Sequence, residues 1–131
     1  MSRLRLIRAG QLSGDTAQTS GMIRAAAISG PLVGSRSLWM GTTVMRPGTS
    51  SGDHHHGDSE TGIYVVSGHP AFVFRGPGEP GLTRLETGPG DFVWVPPHVP
   101  HREENASPGT EAVVVIARST QEAIVVAVDG F

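Results

Sequence analysis

Glycine and proline divide this chain into short apolar runs, and their spacing restricts the possible folds more than any other feature. The chain has 18 glycines and 10 prolines among 131 residues, well above the usual share of about 12%. The runs between them are rich in β-branched and aromatic residues, which favour strands. We predict strands at residues 4–7, 22–28, 38–45, 63–66, 71–74, 92–95, 112–117 and 124–128. Many short strands separated by such turns predict one all-β domain over residues 1–131, a sandwich or a barrel.

The composition excludes several kinds of chemistry. There is no cysteine, which excludes disulfides, thiolate metal sites and cysteine nucleophiles. All ten basic residues are arginine, so a lysine Schiff base is excluded as well. With a net charge of −2 we expect no binding to nucleic acid or to a membrane surface. No run approaches the ~20 apolar residues of a transmembrane helix or forms the apolar core of a secretion signal, so we expect a cytoplasmic protein.

Histidines concentrated in one part of the chain predict a metal site. On a strand His54 and His56 point to the same face, and His101 comes from a different strand. Glu60 follows His56 by four residues and offers a carboxylate oxygen. Three imidazoles and one carboxylate suit Fe(II), Mn(II), Ni(II), Cu(II) or Zn(II), with one or two coordination positions left for water or substrate. A polar surface loop is the alternative interpretation of the three consecutive histidines.

The residues around these histidines resemble the two conserved motifs of the cupin family. The first motif, over about residues 48–68, is formed by Gly48, His54, His55, His56, Glu60 and Gly68. The second, over about residues 90–105, runs from Gly90 to Pro96 and continues to His101 and Asn105. The resemblance implies a double-stranded β-helix, which is a small jelly-roll barrel, with one metal ion in its mouth. It also implies the three histidines and Glu60 as ligands, and a homodimer formed through the N-terminal strands within residues 1–30.

Two positions depart from the family pattern. The second glycine of the first motif normally follows the glutamate by seven residues, which places Thr61 rather than Glu60 in that position. Either a one-residue bulge turns Glu60 inward, or three histidines and a water hold the metal. His98 stands where the second motif normally has glycine, and is interpreted either as a proton shuttle at the pocket mouth or as an exposed loop residue. Glu103 is interpreted as part of a solvated turn or as an acceptor that orients an imidazole.

The pocket beside the metal is expected to be small and lined by aromatic and thioether side chains. The candidates are Tyr64, Phe74, Trp94 and Met45. The resemblance implies a metal-dependent enzyme for a small carbonyl- or phenol-bearing molecule, either a dioxygenase or a polyketide cyclase or isomerase. In the dioxygenase, Glu60 would also serve as a base. The alternatives are a cupin that binds or senses a small molecule without turnover, and a purely structural barrel.

Overall fold

The computed structural model describes residues 3–131, so Met1 and Ser2 of the predicted domain lie outside the described residues. In chain order the strands are β1 (Met22–Ile28), β2 (Trp39–Met45), β3 (Thr49–Ser50), β4 (His54–His55), β5 (Thr61–Ser67), β6 (Ala71–Phe74), β7 (Thr83–Glu86), β8 (Phe92–Val95), β9 (His101–Asn105), β10 (Ala112–Arg118) and β11 (Val126–Ala127). A 3-10 turn at Ala9–Gln11 and one helix, α1 (Gly30–Val33), complete the described elements. No helix among residues 3–131 is long and apolar enough to cross a membrane.

The strands form two antiparallel sheets that share one core. The first sheet has the order β1-β2-β10-β5-β8, and the second has the order β11-β4-β9-β6-β7, with β3 paired to β9. Ile63 and Val114 of the first sheet pack in the same buried cluster as Phe72 of the second. This arrangement confirms the predicted all-β jelly-roll barrel.

Strict alternation along β2 shows how the inner face is built. Trp39, Gly41, Thr43 and Met45 point inward, while the residues between them are partly exposed. Gly41 has no tolerance for a side chain, because a Cβ atom there would lie 2.3 Å from the carbonyl oxygen of Ala25 on the neighbouring β1. Glycine at this position therefore allows β1 and β2 to pair under the Trp39 ring.

Most of the predicted strands exist, and the exceptions have a physical reason. Residues 22–28, 71–74 and 92–95 have the predicted bounds, and three further strands differ by one or two residues at one or both ends. The strand predicted at residues 4–7 is wrong, because Leu4 and Leu6 are exposed and lie outside the sheets of the described structure. The strand predicted at residues 124–128 shortens to β11, which pairs with β4.

Candidate metal centre

Strands β4 and β9 bring the three predicted histidines together. His54 is paired directly with His101 across the two strands, and His56 follows β4 by one residue. The ring centroid of His54 lies 4.7 Å from that of His56 and 4.6 Å from that of His101. The ring centroids of His56 and His101 are 5.0 Å apart. His54 and His101 are buried. The three imidazoles therefore form one cluster on the inner face of the second sheet.

Each imidazole of this cluster uses its Nδ1 atom to reach a backbone carbonyl. His54 Nδ1 is 2.6 Å from the oxygen of Gly52, and His101 Nδ1 is 3.0 Å from that of Val99. His56 Nδ1 is 2.8 Å from the oxygen of Ile124, in the segment that leads into β11. A carbonyl oxygen only accepts, so each Nδ1 carries the donated proton and, in the neutral ring, each Nε2 keeps its lone pair.

The free Nε2 atoms fit a metal ion. His101 Nε2 is buried and has no hydrogen-bond partner in the described structure, although a buried nitrogen is normally satisfied. One nitrogen from each of His54, His56 and His101 and one carboxylate oxygen of Glu103 all lie within 4.8 Å of one another. A divalent transition metal is the partner that such a donor set accepts, and backbone acceptors on the far ring nitrogen are typical of metal-binding histidines.

The carboxylate beside the histidines is Glu103, which the sequence suggested either as part of a solvated turn or as an acceptor that orients an imidazole. Along β9 the residues His101, Glu103 and Asn105 are buried and alternate with partly exposed ones. Glu103 therefore shares the inner face with His101, and its Oε1 atom lies 3.7 Å from His101 Nε2. The spacing of two residues between His101 and Glu103 predicts that both side chains share one face, but only if residues 101–105 are recognised as a strand.

The structure corrects the assignment of Glu60. Glu60 is exposed and its Oε2 atom accepts a hydrogen bond of 2.8 Å from Trp94 Nε1. The buried Thr61 opens β5 facing inward, so strand alternation turns Glu60 outward, and no bulge brings it back. The spacing to Gly68 had already placed Thr61 in the glutamate position. Position 68 requires glycine for two reasons. Its φ is positive, at 80°, and the Cα atom of Ala112 would lie 2.7 Å from an added Cβ atom.

Burial and charge set the protonation of the cluster. Burial lowers the pKa of His54 and of His56, which favours the neutral, ligand-ready rings. Burial also acts to lower the pKa of His101, but contact with Glu103 and with the Val99 carbonyl outweighs it and raises that pKa. Burial acts to raise the pKa of Glu103, but the facing His101 and the charges of His101, Arg24 and His54 lower it to about 2. Glu103 is therefore a carboxylate at neutral pH.

A cavity of about 90 Å³ with both charged and apolar lining residues borders the cluster on the side of His56 and Glu103. Its wall also contains Arg24 of β1 and Arg118 of β10. Neither arginine was predicted as a site residue from the sequence. The signal was present in the strand pattern, since Arg24 shares a face of β1 with the buried Met22 and Ala26.

An apolar cavity of about 290 Å³ borders His101 on the other side. Phe74 and Trp94 line it, as do Phe72, Leu85, Val93, Val95 and Val99. The other two pocket predictions are corrected. Met45 is buried with Met22 and Ala112 in a separate core cluster. Tyr64 lies on the outer face of β5, against Phe92.

His98 lies outside the cluster. Its side chain is 61% exposed and its Nε2 atom is 2.6 Å from Asp58 Oδ1. Its backbone has a positive φ of 63°, in the left-handed region that favours glycine, which agrees with the glycine of the family motif. Of the two interpretations, the exposed loop residue matches this position.

Comparisons with known proteins agree with this architecture. The model of the family described as the cupin domain matches residues 41–117, a range that contains His54, His56, His101 and Glu103. No curated protein matches the chain.

Solved structures share the fold at low sequence identity. Peruvianin-I, a cysteine peptidase from the latex of Thevetia peruviana, has a TM-score of 0.73 at 16% identity, over 94% of this chain and 76% of that one. A recombinant oxalate oxidase in complex with glycolate has a TM-score of 0.70 at 19% identity, over 88% of this chain and 59% of that one. Bacillus subtilis oxalate decarboxylase, described with Mn(II) centres, has a TM-score of 0.72 at 16% identity, over 86% of this chain and 29% of that one.

These likenesses concern the fold alone. The chain spans 59% of the oxalate oxidase and 29% of the oxalate decarboxylase. It also has no cysteine, so it cannot supply the thiol nucleophile of a cysteine peptidase.

Proposed function

The chain belongs to the cupin family, and from that premise we propose that it is a metal-dependent enzyme acting on a small carbonyl- or phenol-bearing molecule. The observation that carries the proposal is the convergence of three imidazoles and the Glu103 carboxylate, whose ligand atoms lie within 4.8 Å of one another. Cavities on two sides of this group give a small molecule room to reach it. Open access distinguishes a catalytic or binding site from a closed structural one.

One divalent ion of iron, manganese, nickel, copper or zinc is the proposed cofactor, held by His54, His56, His101 and Glu103. Nitrogen and oxygen ligands of this kind discriminate poorly among these ions. When bound, the ion supplies Lewis acidity toward a substrate oxygen, or redox chemistry if it is a redox-active metal. The Mn(II) centres described for the Bacillus subtilis oxalate decarboxylase, which has the same fold, support manganese as one of the candidates.

The protein's own residues contribute binding and orientation more than proton transfer. A general base works best with a pKa near the operating pH, whereas the pKa of Glu103 is about 2. Glu103 is therefore proposed as a ligand and not as the base. The apolar cavity lined by Phe72, Phe74 and Val95 would orient an aromatic or aliphatic part of the substrate and exclude water from it. Within this proposal the reaction is of the dioxygenase type or of the polyketide cyclase or isomerase type.

Turnover with a defined set of substrates tests the proposal. Protein loaded with each ion in turn is offered diketones, flavonols and polyketide-like aromatics, with and without oxygen, and products are followed by mass spectrometry. We expect conversion of at least one class. Dependence on oxygen would identify the dioxygenase, and conversion without oxygen would identify the cyclase or isomerase. Metal-loaded protein that converts none of them would contradict the proposal, and His101→Ala is the inactive control.

A cupin that binds its ligand without turnover is the second candidate. It is favoured by the low pKa of Glu103 and by the exposure of His98, since neither is suited to move a proton at the cluster. This candidate predicts that a bound molecule raises the melting temperature of the metal-loaded protein and is recovered unchanged.

A cytoplasmic location remains a proposal based on the sequence.

A further inference from the structure

Two arginines occupy inner-face positions of the barrel, where charged residues are rare. Arg24 lies on β1 between Met22 and Ala26, which are 0% and 3% exposed. Arg118 ends β10 on the face that carries the buried Val114 and Ile116. A charge on an inner face is costly unless it is paired, so the partners of both guanidinium groups matter.

Neither guanidinium group has an anionic partner among the described residues 3–131. Arg24 Nη1 donates to Thr19 Oγ1 at 2.7 Å. Arg118 donates from Nε to the oxygen of Thr120 at 3.0 Å and from Nη2 to that of Gln121 at 2.6 Å. Its guanidinium carbon also lies 4.1 Å from the centre of the Trp39 ring, a cation–π contact. These contacts fix the direction of both groups. Neither group forms a direct ion pair among residues 3–131, although the charge of Arg24 contributes to lowering the pKa of Glu103.

Both arginines line the same cavity of about 90 Å³ beside the metal ligands. The cavity wall contains Arg24, Arg118, His56 and Glu103. The one carboxylate in it, Glu103, faces His101 and belongs to the metal group, so its charge is shared with the metal site. Thr43, which pairs with Arg24 across β1 and β2, is buried and its hydroxyl has no hydrogen-bond partner among residues 3–131. Two guanidinium groups and one carboxylate therefore leave the cavity wall with an excess of positive charge.

We propose that Arg24 and Arg118 bind the carboxylate of a small organic acid whose other end reaches the metal centre. The inference rests on the proposed function and narrows its substrate from a carbonyl- or phenol-bearing molecule to one that also carries a carboxylate. The cavity of about 90 Å³ holds roughly three water molecules at ~30 Å³ each, which suits a short acid. Planar guanidinium groups match a carboxylate in geometry as well as in charge.

Calorimetric titration of the zinc-loaded protein tests this assignment, with malonate as the probe and malonamide as its uncharged equivalent. We expect malonate to bind at least tenfold more tightly than malonamide. Arg24→Gln and Arg118→Gln should each weaken malonate binding at least tenfold and leave malonamide unchanged. Arg24→Lys should recover part of the affinity because it keeps the charge. Arg84→Gln is the matched control, since Arg84 pairs with Glu86 and Glu104 away from the cavity, and it should behave as the wild type.

The outcomes separate this inference from the proposed function. Malonate affinity within twofold of the wild type in both glutamine variants would overturn it, as would equal binding of malonamide or tighter binding of inorganic phosphate. Zinc content is measured in every variant. If the wild type takes up no zinc, the proposed function fails, and the same titrations on metal-free protein then decide the arginine site alone. If Arg118→Gln does not fold by circular dichroism, Arg24→Gln and Arg24→Lys decide.

Discussion

Backbone carbonyls, and not side chains, orient the three imidazoles of the metal centre. Gly52, Val99 and Ile124 each supply the oxygen that faces an Nδ1 atom. A carbonyl is present at every residue, so no residue type in the sequence marks these acceptors. Their effect is to hold the three rings in place with Nε2 left free for a metal ion, and this depends on where the chain runs.

Glu103 and Glu60 provide a matched pair of substitutions at this site. We expect Glu103→Gln to weaken zinc binding by at least tenfold, because it removes a charged ligand from the cluster, where all four ligand atoms lie within 4.8 Å. Glu60→Gln should change the affinity less than twofold, because Glu60 is exposed and bonded to Trp94. Competition with a zinc-binding dye measures both. A loss of affinity in Glu60→Gln but not in Glu103→Gln would refute the assignment of the carboxylate.

Strand alternation explains both what the sequence predicted and what it did not. Apolar strands such as β1, β6 and β8 were found with their bounds, because β-branched and aromatic residues have an intrinsic preference for a half-buried sheet. The strands β4 and β9 consist of histidine, arginine, glutamate and asparagine and are extended only because they pair with each other and with neighbouring strands. Tertiary pairing overrides local preference there.

The consequence at the site is direct. His54, His56 and His101 were found from residue type and spacing, which needs no knowledge of β9. Glu103 was interpreted as part of a solvated turn or as an acceptor for an imidazole, and not as a ligand, because the inner face of β9 was not recognised. Arg24 was missed although its strand was predicted. The contact of the Ile124 carbonyl with His56 joins positions 68 residues apart, which no local pattern reports.

The second sheet carries a chain of ion pairs on its outer face. Arg84 of β7 and Arg102 of β9 both contact Glu104, and Arg102 also reaches Asp53 at 3.3 Å. Val73 of β6 lies in register between Arg84 and Arg102 and is only 3% exposed. The charged side chains therefore cover an apolar residue on a face that would otherwise meet solvent.

This network predicts a specific dependence of stability on pH. The hydrogen bond from Arg84, with a second from Arg102, lowers the pKa of Glu104 in the folded protein. The stabilisation is therefore present above the unfolded pKa, near ~4.3, and is lost as the pH falls through the lower folded value. We expect Glu104→Gln to reduce the free energy of unfolding at pH 7 by at most about 1 kcal/mol, with the difference vanishing at acid pH.

Urea unfolding at several pH values measures this effect on Glu104. Glu111→Gln is the control, because Glu111 is exposed and should show no such difference. A deficit in Glu104→Gln that persisted unchanged below the folded pKa would show that packing, and not the ion pairs, stabilises this face.

The edge of β1 and the exposed apolar residues near the N-terminus determine whether two copies of the barrel can associate. β1 is an edge strand of the first sheet, and residues 13–19 cover much of its outer edge. Ser13 exchanges two backbone hydrogen bonds with Ala26, and the Gln18 side chain bonds both backbone groups of Arg24. Leu4 and Leu6 are exposed beside this region of the chain. Exposed apolar side chains favour contact with a second copy, so a homodimer through the N-terminal region remains our prediction.

Multi-angle light scattering tests the association. We expect a mass of twice the 13.7 kDa of one chain at micromolar concentration. The double variant Leu4→Ser and Leu6→Ser should shift the mass toward the monomer, whereas Phe92→Ser, on the outer face of β8, should not. A monomeric wild type would contradict the prediction.

The metal content of the purified protein tests the central claim most directly. Elemental mass spectrometry on untagged protein, after loading and dialysis, compares the wild type with His101→Ala and with His69→Ala. His69 is a matched control, because its Nδ1 atom also contacts a backbone carbonyl, that of Thr87, but it lies outside the cluster. We predict about one equivalent of a transition metal in the wild type and in His69→Ala, and almost none in His101→Ala. Equal metal content in all three proteins, or none in any of them, would contradict the metal centre proposed for this barrel.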